Sequence, residues 1–160
     1  MRRADDSIVD VDVACDATDV PPREQVERAV RAALHSAGVD TPFEVSVRIV
    51  ASDEMQALNR RYRDRDQPTN VLSFPAETMV GLPAGAPRPL GDIAVCAEVV
   101  QREAAVQGKS PGHHWMHMLV HGTLHLAGFD HETDAEARVM EALEVRALGT
   151  LGVGDPYRAA

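Results

Sequence analysis

Cysteine is scarce in these 160 residues: Cys15 and Cys96 are the only two. They stand far apart in apolar, strand-like stretches and share no metal-ligand or redox spacing, so both read as buried, reduced thiols. Long apolar runs are missing too. None approaches the roughly 20 residues that cross a bilayer, so no membrane association is expected. The opening MRRADDSIVD has two arginines and no apolar stretch behind them, unlike a secretory leader, and a cytosolic protein is expected. Positive charge is also short, with 16 Lys and Arg against 25 Asp and Glu and a net charge of −9. That balance counts against a broad electrostatic grip on nucleic acid, though a local basic cleft stays open. Repeats and low-complexity tracts are absent.

What is present suits one folded unit. A hydrophobic fraction of 44% in a chain this long can bury a core without disulfides. IVDVDVAC alternates, with Val9, Val11 and Val13 on the face expected to be buried. Asp19 and Pro21 announce a helix with the stripe Val26, Val30, Ala33, Leu34 and Ala37, ended by Gly38. FEVSVRIV is a second strand, and Ser52 is placed to cap a helix packed through Met55, Leu58 and Tyr62. NVLSF at 70–74 is a short strand. The segment 76–90 is rich in glycine and proline and reads as a mobile loop; GDIAVC and AEVVQREAAVQ then give a strand and a helix ending at Gly108. A helix is expected over Pro111–Leu126. Thr133 and Glu136 form a capping box for the last one, whose buried side is Val139, Met140, Leu143, Ala147 and Leu148. The sum is a single α+β domain over 1–160, with about four strands in a small mixed sheet and about five helices packed on it. Residues 150–160 are expected to be a loosely held tail.

The chemistry concentrates in HGTLHLAGFDH at 121–131. His121 and His125, four apart on a helix, project from nearly one face. Gly128 tolerates the left-handed backbone that ends a helix, so the chain can fold back and bring His131 to the same point. Three neutral imidazoles and an open fourth position make a catalytic zinc arrangement on a helix and turn in the C-terminal third. His35 and His113 read as bystanders; His114 is unassigned, and His117, one turn before His121, is a candidate for supporting the ligands. The order H-x-x-x-H-x-x-G-x-x-H matches the metzincin proteases except that Gly122 stands where those enzymes carry their catalytic glutamate. Amide hydrolysis is therefore disfavoured. A phosphodiester, whose oxygens bind a metal directly, suits such a site better.

HHWMHMLVHGTLHLAGFDH, LNRRYRDRDQPTNVLSF and LGDIAV together resemble the YbeY family of bacterial endoribonucleases, and the likeness runs from about the second strand to DPY near the C-terminus. The resemblance implies one Zn(2+) per chain on His121, His125 and His131, and a functional arginine at Arg63. It implies a hydrolase specific for single-stranded RNA, acting in 16S rRNA 3′-end maturation and ribosome quality control. Its partners would be the 16S rRNA precursor and the ribosome or small-subunit assembly proteins, in the cytoplasm; oligomeric state stays open. The residues themselves agree on Arg63, because guanidinium is a permanent, bidentate phosphate ligand, whereas Arg60, Arg61 and Arg65 can equally form a solvated surface. Asp130 either holds a ligand imidazole in its tautomer or caps the turn. Thr69, Asn70 and Ser73 flank the expected cleft, with turn and strand duty the simpler role. The general base is open between a metal hydroxide, a histidine and the RNA 2′-hydroxyl. The alternatives are a non-catalytic ribosome-assembly factor with a structural metal, and another metallohydrolase.

Overall fold

The computed structural model describes residues 6–77 and 81–158. Its elements run β1 (Ile8–Ala14), α1 (Arg23–Ser36), β2 (Phe43–Val50), α2 (Ser52–Arg63), β3 (Val71–Pro75), β4 (Arg88–Cys96), α3 (Ala97–Gln107), α4 (Pro111–Leu126) and α5 (Asp134–Thr150). The sheet order is β1-β2-β4-β3. β1, β2 and β4 are parallel, and β3 is antiparallel to β4. The described residues thus form one α+β domain with the expected five helices and four-stranded mixed sheet.

Alternation sorts the sheet's side chains into two layers. Val45, Val47, Ile49, Ile93 and Val95 pack with α1, α4 and α5 in the main core, through Val30, Leu34, Trp115, Leu119 and Leu148 among others. Val50, Leu72, Ala94 and Cys96 point the other way, onto Met55 of α2 and Val99 of α3. Cys15 and Cys96 are both free thiols, and Cys96 is fully buried.

Several boundaries differ from the sequence reading. Val9 is buried, but Val13 is 45% exposed, on a strand at the edge of the sheet. α1 starts at Arg23, with Pro22 at the cap position. Ser52 does not cap α2: it is the first helical residue, and its hydroxyl sits 3.7 Å from Cys96 Sγ. β4 begins at Arg88 and so includes Pro89. Pro89 sits beyond the last β3 pair at Gly91 and opposite Glu44 of β2, where the β2–β4 register shifts, and such an irregular spot tolerates proline. Gly91 itself is obligatory, at φ +136°, where a Cβ would lie 2.2 Å from the Phe74 carbonyl oxygen. Of the glycine- and proline-rich loop, residues 78–80 lie outside the described residues. The α5 capping box forms as read, yet Val139 is 53% exposed, and the buried stripe is Met140, Glu144, Ala147 and Leu148. Within the described part of the tail, Val153 is buried and Tyr157 reaches back to α5, while residues 159–160 lie outside the described residues.

Candidate metal centre and cleft

α4 places the first two histidines. Ser110 caps it and Pro111 occupies the first helical position. The helix is wedged between α1, α3, α5 and the sheet, so nearly every residue from His114 to Leu126 is buried; His121 and His125 are the half-buried exceptions. Its end is a left-handed turn at Gly128, φ +100°, with Phe129 N–H donating to the Leu124 carbonyl. Asp130 Oδ1 accepts the His131 backbone N–H at 2.8 Å. Asp130 therefore serves the turn, the second of its two expected roles, and leaves imidazole orientation to other groups.

The turn brings His131 to the helical pair. One ring nitrogen from each of the three lies within 4.8 Å of the other two. Proton placement makes the cluster informative. His121 Nδ1 is 2.5 Å from Glu144 Oε2, and His125 Nδ1 is 3.0 Å from the Phe129 carbonyl oxygen. Carboxylate and carbonyl can only accept, so both Nδ1 atoms carry the hydrogen. The two Nε2 atoms are then lone-pair acceptors, and they face one another at 3.1 Å. Facing acceptors repel unless a cation lies between them. Tetrahedral zinc with Zn–N of about 2.0–2.1 Å sets its ligand nitrogens about 3.3 Å apart, so this donor set fits such an ion. Burial, reinforced by the neighbouring His121 and His131, lowers the His125 pKa below the ordinary imidazole value and keeps it neutral, as a ligand must be.

Behind His121 lies a buried polar network. Glu144 is fully buried on α5; its Oε2 meets His121, while its Oε1 accepts from Tyr157 Oη and His117 Nε2. Burial alone would raise this carboxyl's pKa, but bonds from His117, His121 and Tyr157 outweigh it and hold the group ionised, at about 2. His117 is thus tied to His121 through Glu144. His114 Nε2 contacts Glu103 Oε1 at 2.9 Å instead, and His35 and His113 are exposed.

The trio opens into a cleft of about 940 Å³ that Arg63, Tyr62, Phe74 and Phe129 also line. Arg63 comes from the last turn of α2, and among the described residues its guanidinium has no hydrogen-bond or ion-pair partner. Arg60, Arg61 and Arg65 do not line the cleft; Arg61 sits 5.4 Å from the Tyr62 ring centre. Thr69, Asn70 and Ser73 do line it. Asn70 is engaged by Glu103 and by the Val71 N–H, and Ser73 Oγ donates to the Gly122 carbonyl.

A sequence model of the family described as Endoribonuclease YbeY matches residues 12–152. The chain belongs to the YbeY family. Relatives named Endoribonuclease YbeY include one from Halorhodospira halophila, 64% identical over 72% of this chain and 75% of its own length. Another, from Alcanivorax borkumensis, is 52% identical over 95% and 87%, and one from Colwellia psychrerythraea is 44% identical over 94% and 96%. The solution structure of TM1509 from Thermotoga maritima shares the fold, with a TM-score of 0.56 at 21% identity over 94% of this chain and 99% of that one.

In this YbeY-family chain, position 122 has no room for a glutamate. A Cβ on Gly122 would meet Val71 Cγ2 at 2.9 Å and Ile93 Cγ2 at 3.2 Å, because α4 lies directly on β3 and β4 there. Sequence reasoning missed Glu144, Tyr157 and Glu103. Glu144 did leave a signal: it stands four residues after Met140 and four before Leu148, a charge on the apolar stripe of α5. Tyr157 lies in the DPY that ends the family likeness, but the short tail has no periodicity to say where its hydroxyl goes.

Proposed function

We propose that this chain is a metal-dependent endoribonuclease that hydrolyses phosphodiesters in single-stranded RNA, and that residues 1–160 work as one domain. The observation that carries the reading is the cleft itself, where two facing acceptor nitrogens share one space with an unpaired arginine. His121, His125 and His131 hold one zinc ion. The chemistry such an ion supplies is Lewis acidity toward a phosphate oxygen. Arg63 binds the same phosphate and neutralises charge that builds on it during cleavage. Tyr62, Phe74 and Phe129 supply apolar ring surface to the cleft, and unpaired bases stack on such rings whereas paired ones are unavailable to them. The substrate is the 16S rRNA precursor near its 3′ end, met in the cytoplasm on the ribosome or among small-subunit assembly proteins. Those partners supply the positioning that an acidic protein lacks.

A structural-metal role is less well supported. The group of candidate ligands among the described residues holds three histidines, and His131 is exposed at the cleft. Protease chemistry meets the filled space at Gly122.

The test compares cleavage of a labelled single-stranded RNA by zinc-loaded wild type, chelator-treated protein, His125→Ala and Arg63→Ala. Only the loaded wild type should cut, and Arg63→Ala should keep its zinc. Cleavage surviving in the chelated protein and in His125→Ala would sink the metal-dependent reading. Zinc lost from Arg63→Ala would sink the division of roles.

A further inference from the structure

We infer that Glu144 is the positioning residue of the metal centre and that Tyr157, delivered by the C-terminal tail, holds it in place; the inference rests on the metal reading above. Glu144 is fully buried at a position whose helical neighbours on the same stripe, Met140, Ala147 and Leu148, are apolar. A leucine or methionine there would complete the core, and exchanging a buried charge for a well-packed apolar side chain is often neutral or stabilising. Core stability therefore does not account for the carboxylate. Its geometry does. Oε2 receives His121 Nδ1–H at 2.5 Å, which fixes the ring's tilt and its tautomer and leaves Nε2 with the free lone pair. The negative charge also makes that Nε2 a stronger donor to a cation. His125 obtains the same tautomer from a backbone carbonyl within its own turn. His121, in mid-helix, has no such carbonyl at hand and depends on α5.

Oε1 needs a partner to keep the carboxylate from rotating away, and two converge on it. Tyr157 donates its hydroxyl, and His117 Nε2 lies 3.4 Å from Oε1 and 3.2 Å from the Tyr157 oxygen. The tyrosine arrives through a defined turn. Asp155 Oδ1 accepts the Tyr157 N–H at 2.8 Å, and the ring then packs edge-on against His117 with centroids 5.4 Å apart. Tyr157 is 46% exposed as a residue although its hydroxyl meets a buried carboxylate. Metal affinity is thereby coupled to the docking of the tail.

The experiment measures Zn(2+) affinity by competition with a chromophoric chelator, together with metal-free melting temperature, for wild type, Glu144→Gln and Tyr157→Phe. Glu144→Gln should bind zinc about 10- to 100-fold more weakly. Tyr157→Phe should show a smaller loss in the same direction with its metal-free melting temperature little changed. Cobalt-loaded forms of both should shift their visible absorption, which a purely structural role would not cause. Wild-type zinc affinity in both variants, with only melting temperature lowered, would overturn the inference; if Glu144→Gln does not fold, wild-type affinity in Tyr157→Phe overturns it alone. Failure of wild type to bind zinc would overturn the metal reading as well. Zinc binding without RNA cleavage would overturn the ribonuclease reading and leave this one standing.

Discussion

At position 122, one added methyl group would press on Val71 Cγ2 at 2.9 Å and on Ser73 Oγ at 3.3 Å. Gly122→Ala should therefore lower stability by about 1–3 kcal/mol, the usual range for overpacking, as measured by urea unfolding of the metal-free protein. A stability equal to wild type would show that α4 can lift off the sheet without penalty. Tyr62 offers a second test. It is 56% exposed, lines the cleft and is braced edge-on by Phe74 at 5.0 Å. Tyr62→Ala should raise KM for single-stranded RNA by roughly the 1–3 kcal/mol of one base stack, with kcat little changed; an effect on kcat alone would remove Tyr62 from binding. His114 gives the pH dependence. Burial lowers its pKa, with Glu103 pulling the other way. The unfolded chain then takes up this proton first as pH falls. The contribution to stability is full above the unfolded value of 6.5 and is lost as pH drops below it. Between about pH 7.5 and 5, His114→Gln should lose melting temperature less steeply than wild type; parallel curves would refute the assignment.

Among the elements, α5 does two jobs, and its start is the better encoded one. Thr133 Oγ1 accepts the Glu136 N–H at 3.1 Å, and Glu136 Oε1 accepts the Thr133 N–H at 3.2 Å. Thr133→Ala should cost about 1 kcal/mol, read as a lower melting temperature; no change would mean that packing alone holds the helix. Such a box spans four residues and is visible in T-D-A-E. The reach of α4 was equally legible, since Pro111 and Gly128 bracket it. Strand limits were not: Pro89 lies in β4 because it pairs with Glu44 of β2 beyond the end of β3, a fact about partner strands rather than about Pro89. Ser52 misled for the same reason, its hydroxyl facing Cys96 across 44 residues instead of the next turn.

For the molecule as a whole, the net charge of −9 leaves Arg63 as a cation in the cleft without a partner among the described residues. Binding of free single-stranded RNA by the metal-free protein should then depend only weakly on salt. One or two phosphate contacts give a slope of about −0.7 to −1.4 in log K against log salt, measurable by fluorescence anisotropy. A slope steeper than about −3 would reveal a basic path elsewhere on the surface. No described helix is long and apolar enough to cross a membrane.

The sequence by itself determined what depends on neighbours a few residues apart. The helical and strand periods, the capping box, the 121–125 spacing and the turn that returns His131 are all of this kind, because each rests on backbone geometry within a turn or two. The family resemblance and guanidinium chemistry singled out Arg63, and its place beside the histidines in the cleft came from the fold. Tertiary structure decided which histidine nitrogen carries hydrogen, since that depends on Glu144, 23 residues from His121, and on Tyr157, 13 residues further along. It decided why position 122 is glycine, since the limit there is set by Val71 and Ile93 on two strands. Contacts between such distant positions leave no period in the chain; they exist only once the sheet and α4 have closed on each other.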